Sequence, residues 1–83
     1  MLQRFISDMD LASNNVALRP VYAKHLLDLL ERVGVRAVRQ IAGFTRVLDA
    51  YLQIYEAPGE MTRVHTLDAL FVFMPVIENQ FHN

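Results

Sequence analysis

Nine consecutive residues near the end of the sequence, ALFVFMPVI at positions 69–77, carry no polar side chain. As a helix, this segment has apolar side chains on all sides, and such a helix must be covered all round by other protein. Pro75 removes one helical hydrogen bond and bends the helix at that point. A strand is the alternative, because Phe and Val favour strands, although no other segment alternates with the period of a partner strand. The strand interpretation therefore requires pairing between two chains.

The length of the chain limits how much of this apolar surface it can cover. A folded chain of 83 residues leaves roughly a third of its extended surface in contact with water. Apolar residues make up 53% of the sequence and charged residues 20%, whereas a typical domain has about 45–50% and about 25%. We therefore predict one helical domain, residues 1–83, whose surplus apolar surface is covered by a second chain.

Apolar residues recur at helical spacing in four segments of the sequence. These predicted helices cover residues 2–12, 20–33, 35–56 and 62–80. Pro20 suits the first position of the second helix, and Gly34 suits the residue that ends it. Pro58 and Gly59 favour a type II turn before the fourth helix. The predicted fold class is all-α: a compact array of four helices with short loops, assembled as a dimer.

The third predicted helix contains a glycine near its middle. Gly43 either breaks the segment into two shorter helices or marks a close approach of another element, because glycine costs about 1 kcal/mol relative to alanine inside a helix. Apolar residues cover more than half of the circumference of this helix. We expect one continuous helix, which forms the centre of the fold.

The surplus of apolar side chains predicts a surface for binding another protein. The candidate contact residues are Phe71, Phe73, Met74, Val76, Ile77 and Phe81, with Tyr51 and Tyr55 at the margin. The predicted function is that of a small non-catalytic regulatory or adaptor protein, such as an inhibitor, a chaperone-like protein or a complex subunit. The predicted partner is a second copy of the chain, another protein, or both, because one apolar face can bind either partner.

A pattern of arginine residues favours a different function. Arg32, Arg36, Arg39 and Arg46 form a strip that could contact phosphates or an acidic partner. The segment LLERVGVRAVRQIAG, residues 29–43, resembles the helix, glycine turn and helix of helix-turn-helix and helix-hairpin-helix modules. This resemblance implies a dimeric DNA-binding transcriptional regulator. The net charge of −1 gives no overall attraction to nucleic acid, so protein binding is the favoured prediction.

Residues suited to catalysis or metal binding are not arranged for it in the sequence. His25, His65 and His82 lack the close spacing of metal ligands, and there is no cysteine. We expect no enzyme activity, no catalytic residue, no metal, no cofactor and no small-molecule substrate. The lack of cysteine is typical of a reducing compartment, which predicts a cytoplasmic location. No apolar run approaches the 18 or more residues of a membrane span, so none is expected.

Overall fold

A computed structural model of the chain describes the backbone of residues 2–82 and the side chains of residues 2–72. The described backbone forms five helices: α1 (Leu2–Ala12), α2 (Arg19–Val33), α3 (Val35–Arg39), α4 (Phe44–Leu52) and α5 (Thr62–His82). Residues 2–82 contain no strand, which confirms the all-α prediction. The apolar segment 69–77 lies within α5, so the interpretation of this segment as a strand is wrong.

The third predicted helix, residues 35–56, is not continuous. It is divided into α3, which has five residues, and α4, which has nine. Gly43 lies between them with φ +84°, in the left-handed conformation. An α-helix cannot continue through a left-handed residue, and glycine adopts this conformation without the steric penalty of a side chain. The expectation of one long central helix is therefore wrong, and the glycine marks the break.

The turn before α5 has the predicted geometry. The Glu60 N–H donates to the Ala57 carbonyl at 3.1 Å. Gly59 has φ +78°, the positive value that the third position of a type II turn requires. Met61 follows this turn, and α5 begins at Thr62.

All five helices contribute buried side chains to the core, and α1 packs against α2 and α4. The large buried side chains of the core are Ile6, Met9, Leu26, Leu30, Val38, Phe44, Val47 and Tyr51. Within the described part of the chain, α5 packs most extensively against α2. Arg19, the first residue of α2, contacts Glu60, which lies just before α5. The two helices therefore begin at the same end of the molecule.

Candidate protein-interaction surface

Within residues 62–72, the fully buried side chains of α5 are small, Leu70 and Val72 pack partly against the core, and three larger apolar side chains face solvent. Its buried residues are Thr62, Thr66 and Ala69. Its outer face carries Val64, Leu67 and Phe71, which are 45%, 38% and 71% exposed. We call these three residues the α5 stripe. Their spacing of three and four residues places them on one face of the helix.

The small residues of α5 allow it to approach α2 closely. Ala69 of α5 and Ala23 of α2 are both buried. The buried threonines carry hydroxyl groups, but these groups have partners. The Thr66 hydroxyl donates to the Thr62 carbonyl at 2.7 Å, and the Thr62 hydroxyl donates to the Glu60 carboxylate. Because buried polar groups are tolerated when they are hydrogen-bonded, this side of α5 can face the core, and the large residues remain outside.

Tyr55 is an exposed aromatic residue on a fixed stretch of backbone. Its side chain is 96% exposed. The Arg19 guanidinium donates to the Tyr55 carbonyl at 3.2 Å, and the Arg63 guanidinium donates to the Ile54 carbonyl at 2.6 Å. The Arg63 N–H also donates to the Glu56 carboxylate at 3.0 Å. These contacts hold residues 54–56 beside the first turn of α5, so Tyr55 lies close to the start of the α5 stripe.

A buried ion pair between Arg19 and Glu60 supports this end of the molecule. The Arg19 guanidinium donates through Nε and Nη2 to the two oxygens of the Glu60 carboxylate. The side chains are only 11% and 3% exposed. Glu60 also accepts hydrogen bonds from the Thr62 hydroxyl and the Ala57 N–H. The hydrogen bonds from Arg19, with those from Thr62 and Ala57, lower the pKa of Glu60 to about 2, although burial opposes this shift.

The sequence contains no local signal for this ion pair, because its two members lie 41 residues apart. From the sequence, Glu60 stands out only as a residue beside a turn, and Arg19 does not stand out at all. The hydrogen bonds that Arg19 donates to the Glu60 carboxylate also raise the pKa of Arg19. The carboxylate and the guanidinium satisfy one another, so neither has the unpaired charge of a catalytic group.

The predicted contact residues fall into three groups in the structure. Phe71 and Tyr55 are exposed, as a contact surface requires. Tyr51 is fully buried, and its hydroxyl donates to the Met9 carbonyl, so its placement at the margin of an interface is wrong. The remaining candidates lie outside the residues whose side chains are described: Phe73, Met74, Val76, Ile77 and Phe81.

The predicted arginine strip is divided among three helices. Arg32 on α2 pairs with Asp28 at 2.9 Å, and Arg46 on α4 pairs with Asp10 of α1 at 2.9 Å. Arg36 and Arg39 are exposed on α3, which the break at Gly43 separates from α4. The four arginines therefore do not form one strip along one helix, because the helix that was expected to carry three of them is broken.

The resemblance to a helix-turn-helix module does not extend to the structure. Only Gly34 separates α2 from α3, and α3 has five residues. A helix-turn-helix module joins its helices through a turn of about three or four residues and places the second helix in the major groove of DNA. The structural basis of the DNA-binding alternative is therefore missing in this segment.

Comparison with known proteins finds no family model that matches this chain and no solved structure that matches it. Curated proteins named TELO2-interacting protein 2 do match this chain. The Mus musculus protein is 31% identical over 74 residues, which are 89% of this chain and 14% of that protein. The Homo sapiens protein is 33% identical over 61 residues, which are 74% of this chain and 12% of that protein.

The chain is similar to a segment of these relatives. It spans 12% to 14% of their length. By name, each relative interacts with another protein, TELO2.

Metal sites and membrane spans are not found in the described part of the chain. Its residues contain no group of three or more His, Asp or Glu side chains placed to hold a metal ion. None of its helices combines the length and the apolar character needed to cross a membrane.

Proposed function

We propose that this chain is a non-catalytic protein-interaction module that binds a protein partner through the α5 stripe. The observation that carries the proposal is the exposure of Val64, Leu67 and Phe71 on one face of α5. Soluble proteins rarely expose a continuous apolar helix face unless another protein covers it. The spacing of the stripe suits docking of a helix into an apolar groove of the partner.

The proposed binding surface also includes the predicted contact residues that follow residue 72. Phe73, Met74, Val76, Ile77 and Phe81 follow Phe71 on the same helix. Tyr55 adds an aromatic ring near the other end of the stripe. Aromatic residues on a fixed backbone often dominate binding energy, because little conformational entropy is lost when they are buried. Phe71 and Tyr55 are therefore the proposed anchors within the described residues.

The partner that we propose is TELO2, and the chain acts as a subunit or adaptor in a complex with it. The support comes from the similarity to proteins named for this interaction. A cytoplasmic location is part of the proposal, because a chain without cysteine suits a reducing compartment. The partner and the use of the α5 stripe are separate claims, since a different protein could use the same face.

Self-association is the second proposal for the same surface. An apolar stripe with no other occupant can be covered by the stripe of a second copy, because a symmetric contact uses one patch twice. The observation that favours self-association is again the exposure of Phe71 on α5. Binding to a partner then competes with self-association, since both bury the stripe.

Binding to purified TELO2 tests the proposed function. Isothermal titration calorimetry of the human or mouse TELO2 protein with the full 83-residue chain should show saturable binding. Phe71→Asp should weaken this binding by at least tenfold, because it places a charge at the centre of the contact. A folded wild-type chain that does not bind TELO2 would remove TELO2 as the partner. Equal binding by Phe71→Asp would remove the α5 stripe as the contact.

A further inference from the structure

A groove lies at the end of the molecule where α2 and α5 begin. It has a volume of about 460 Å³ and is open to solvent. One wall is formed by the chain around the start of α2, residues 16–24, and the other by residues 57–61 and His65. None of the three residues of the α5 stripe lines this groove. The groove is therefore a second surface feature, separate from the stripe.

The walls of the groove are mainly apolar. Val16 and Val21 line one side and Met61 lines the other, and each of these side chains is about half exposed. Pro20 and Pro58 also line it, one in each wall. Apolar walls of this kind favour burial of an apolar side chain, because burial removes both surfaces from water.

The two walls are held at a fixed separation. The Arg19–Glu60 ion pair joins the start of α2 to the end of the 57–60 turn. The Ser13 and Tyr55 carbonyls also accept hydrogen bonds from Arg19, at 3.2 Å each. The loops on both sides of the groove are thus tied to one guanidinium. A preformed groove binds a ligand with little loss of conformational entropy in the protein.

The ionisable side chains that line the groove are Lys24, Glu60 and His65. The Glu60 carboxylate already accepts hydrogen bonds from Arg19, Thr62 and the Ala57 N–H, so its charge is neutralised. Lys24 is exposed, and its ammonium group forms no ion pair within residues 2–72. The groove therefore combines apolar walls with a lysine at its edge that forms no ion pair among the described side chains.

We infer that this groove binds a short acidic and apolar peptide segment of a protein partner. An apolar side chain of the peptide lies between Val21 and Met61, and a neighbouring carboxylate pairs with Lys24. This inference rests on the proposed function only in that the occupant belongs to a protein. The charge complementarity selects an acidic segment over a basic or neutral one.

Peptide selection tests the inference whatever the identity of the partner. Random twelve-residue peptides displayed on phage are selected against the folded 83-residue chain, and the affinities of the enriched peptides are measured by fluorescence anisotropy. The expected peptides carry Asp or Glu beside a large apolar residue. Lys24→Glu should weaken their binding by at least tenfold, whereas Lys24→Arg should retain it because the charge is kept. Lys24 is exposed, so neither change should unfold the chain.

A direct probe of the groove is possible because Lys24 is the only lysine in the sequence. Reductive methylation with carbon-13 formaldehyde labels this side chain and the terminal amine and keeps the positive charge. The dimethyl-lysine NMR signal should shift on addition of an enriched acidic peptide. The same peptide with Asn and Gln in place of Asp and Glu should leave the signal in place.

The outcomes separate this inference from the proposed function. Phe71→Asp should bind the enriched peptides as the wild type does, because Phe71 does not line the groove. The inference is overturned if selection enriches no peptide, if the enriched peptides lack a carboxylate, or if they bind Lys24→Glu with unchanged affinity. Failure to bind TELO2 with retained peptide binding overturns the proposed partner and leaves the groove as a peptide site.

Discussion

The guanidinium of Arg19 and the carboxylate of Glu60 form a buried ion pair between the first residue of α2 and the turn that precedes α5. The same guanidinium donates to two backbone carbonyls, those of Ser13 and Tyr55. One side chain therefore connects the loop after α1, the start of α2 and the segment before α5. Both the exposed Tyr55 and the walls of the groove depend on this connection.

Loss of the Glu60 charge should destabilise the fold in a manner that depends on pH. The pKa of Glu60 is lowered from its ordinary value of 4.5 to about 2. A lowered pKa in the folded state means that the ionised carboxylate favours folding above pH 4.5, and that this contribution disappears as the pH falls towards 2. Glu60→Gln should therefore melt at a lower temperature than the wild type at neutral pH, and the difference should shrink between these two pH values.

A matched control for this prediction is Glu31→Gln. Glu31 is an exposed residue of α2 that forms no ion pair within residues 2–72. Its substitution should leave the melting temperature close to that of the wild type at every pH. The prediction is contradicted if the difference in melting temperature between Glu60→Gln and the wild type stays constant from neutral pH down to pH 2. The Glu60 charge would then not be the source of the stabilisation.

The hydroxyl of Tyr51 should contribute to stability, whereas that of Tyr55 should not. Tyr51 donates to the Met9 carbonyl, which is among the last four carbonyls of α1 and lacks a partner within that helix. Tyr51→Phe should lower the free energy of unfolding by about 1 kcal/mol, since it removes a buried hydrogen bond. Tyr55→Phe is the control, because Tyr55 is exposed. Equal stability of the two variants in urea denaturation would contradict the role of the Tyr51 hydroxyl.

Alanine at position 43 should destabilise the junction between α3 and α4. Gly43 has φ +84°, and a Cβ placed there would meet no atom closer than 3.8 Å. The penalty is therefore one of backbone conformation, about 1–2 kcal/mol for a residue with a side chain in the left-handed region. Gly43→Asn should lose less stability than Gly43→Ala, because asparagine tolerates this conformation. Chemical denaturation measures the free energy of unfolding of both variants. If Gly43→Ala is more stable than Gly43→Asn, the helix is continuous through position 43.

Exposed apolar residues on two different helices should differ in their effect on TELO2 binding. Phe71 on α5 and Leu11 on α1 are 71% and 78% exposed. Phe71→Asp should reduce affinity by at least about tenfold, a loss of 1.4 kcal/mol or more. Leu11→Asp should leave affinity unchanged, because Leu11 lies outside the α5 stripe. Circular dichroism spectra should show that both variants remain helical, and equal losses in both would point to a nonspecific apolar effect.

In the absence of a partner, the α5 stripe should make the chain self-associate. Sedimentation equilibrium at micromolar concentrations should give a mass above the 9.6 kDa of one chain. Phe71→Asp should return the mass to that of one chain, because a charged residue would be buried against its own copy. A wild-type chain that remains a monomer throughout would remove the homodimer and leave the stripe to a different protein.

The sequence by itself determined the helical content, most helix ends and the turn before α5. The predicted segments 2–12, 20–33 and 62–80 match α1, α2 and α5 to within two residues at each end. These features are local, because apolar spacing, proline and glycine act on backbone conformation within a few residues. Gly43 was also visible as a candidate break, but a local signal did not decide between a break and a close approach.

Only the tertiary structure decided which side chains face the core and which face solvent. Tyr51 is buried in the core, where its hydroxyl reaches the carbonyl of Met9, 42 residues earlier in the chain. Phe71 is exposed because the opposite, small-residue side of α5 packs against α2. The Arg19–Glu60 pair likewise joins distant segments. Periodicity shows that a helix has different faces, but packing against other helices selects the one that is buried, and that choice depends on contacts between residues far apart in the sequence.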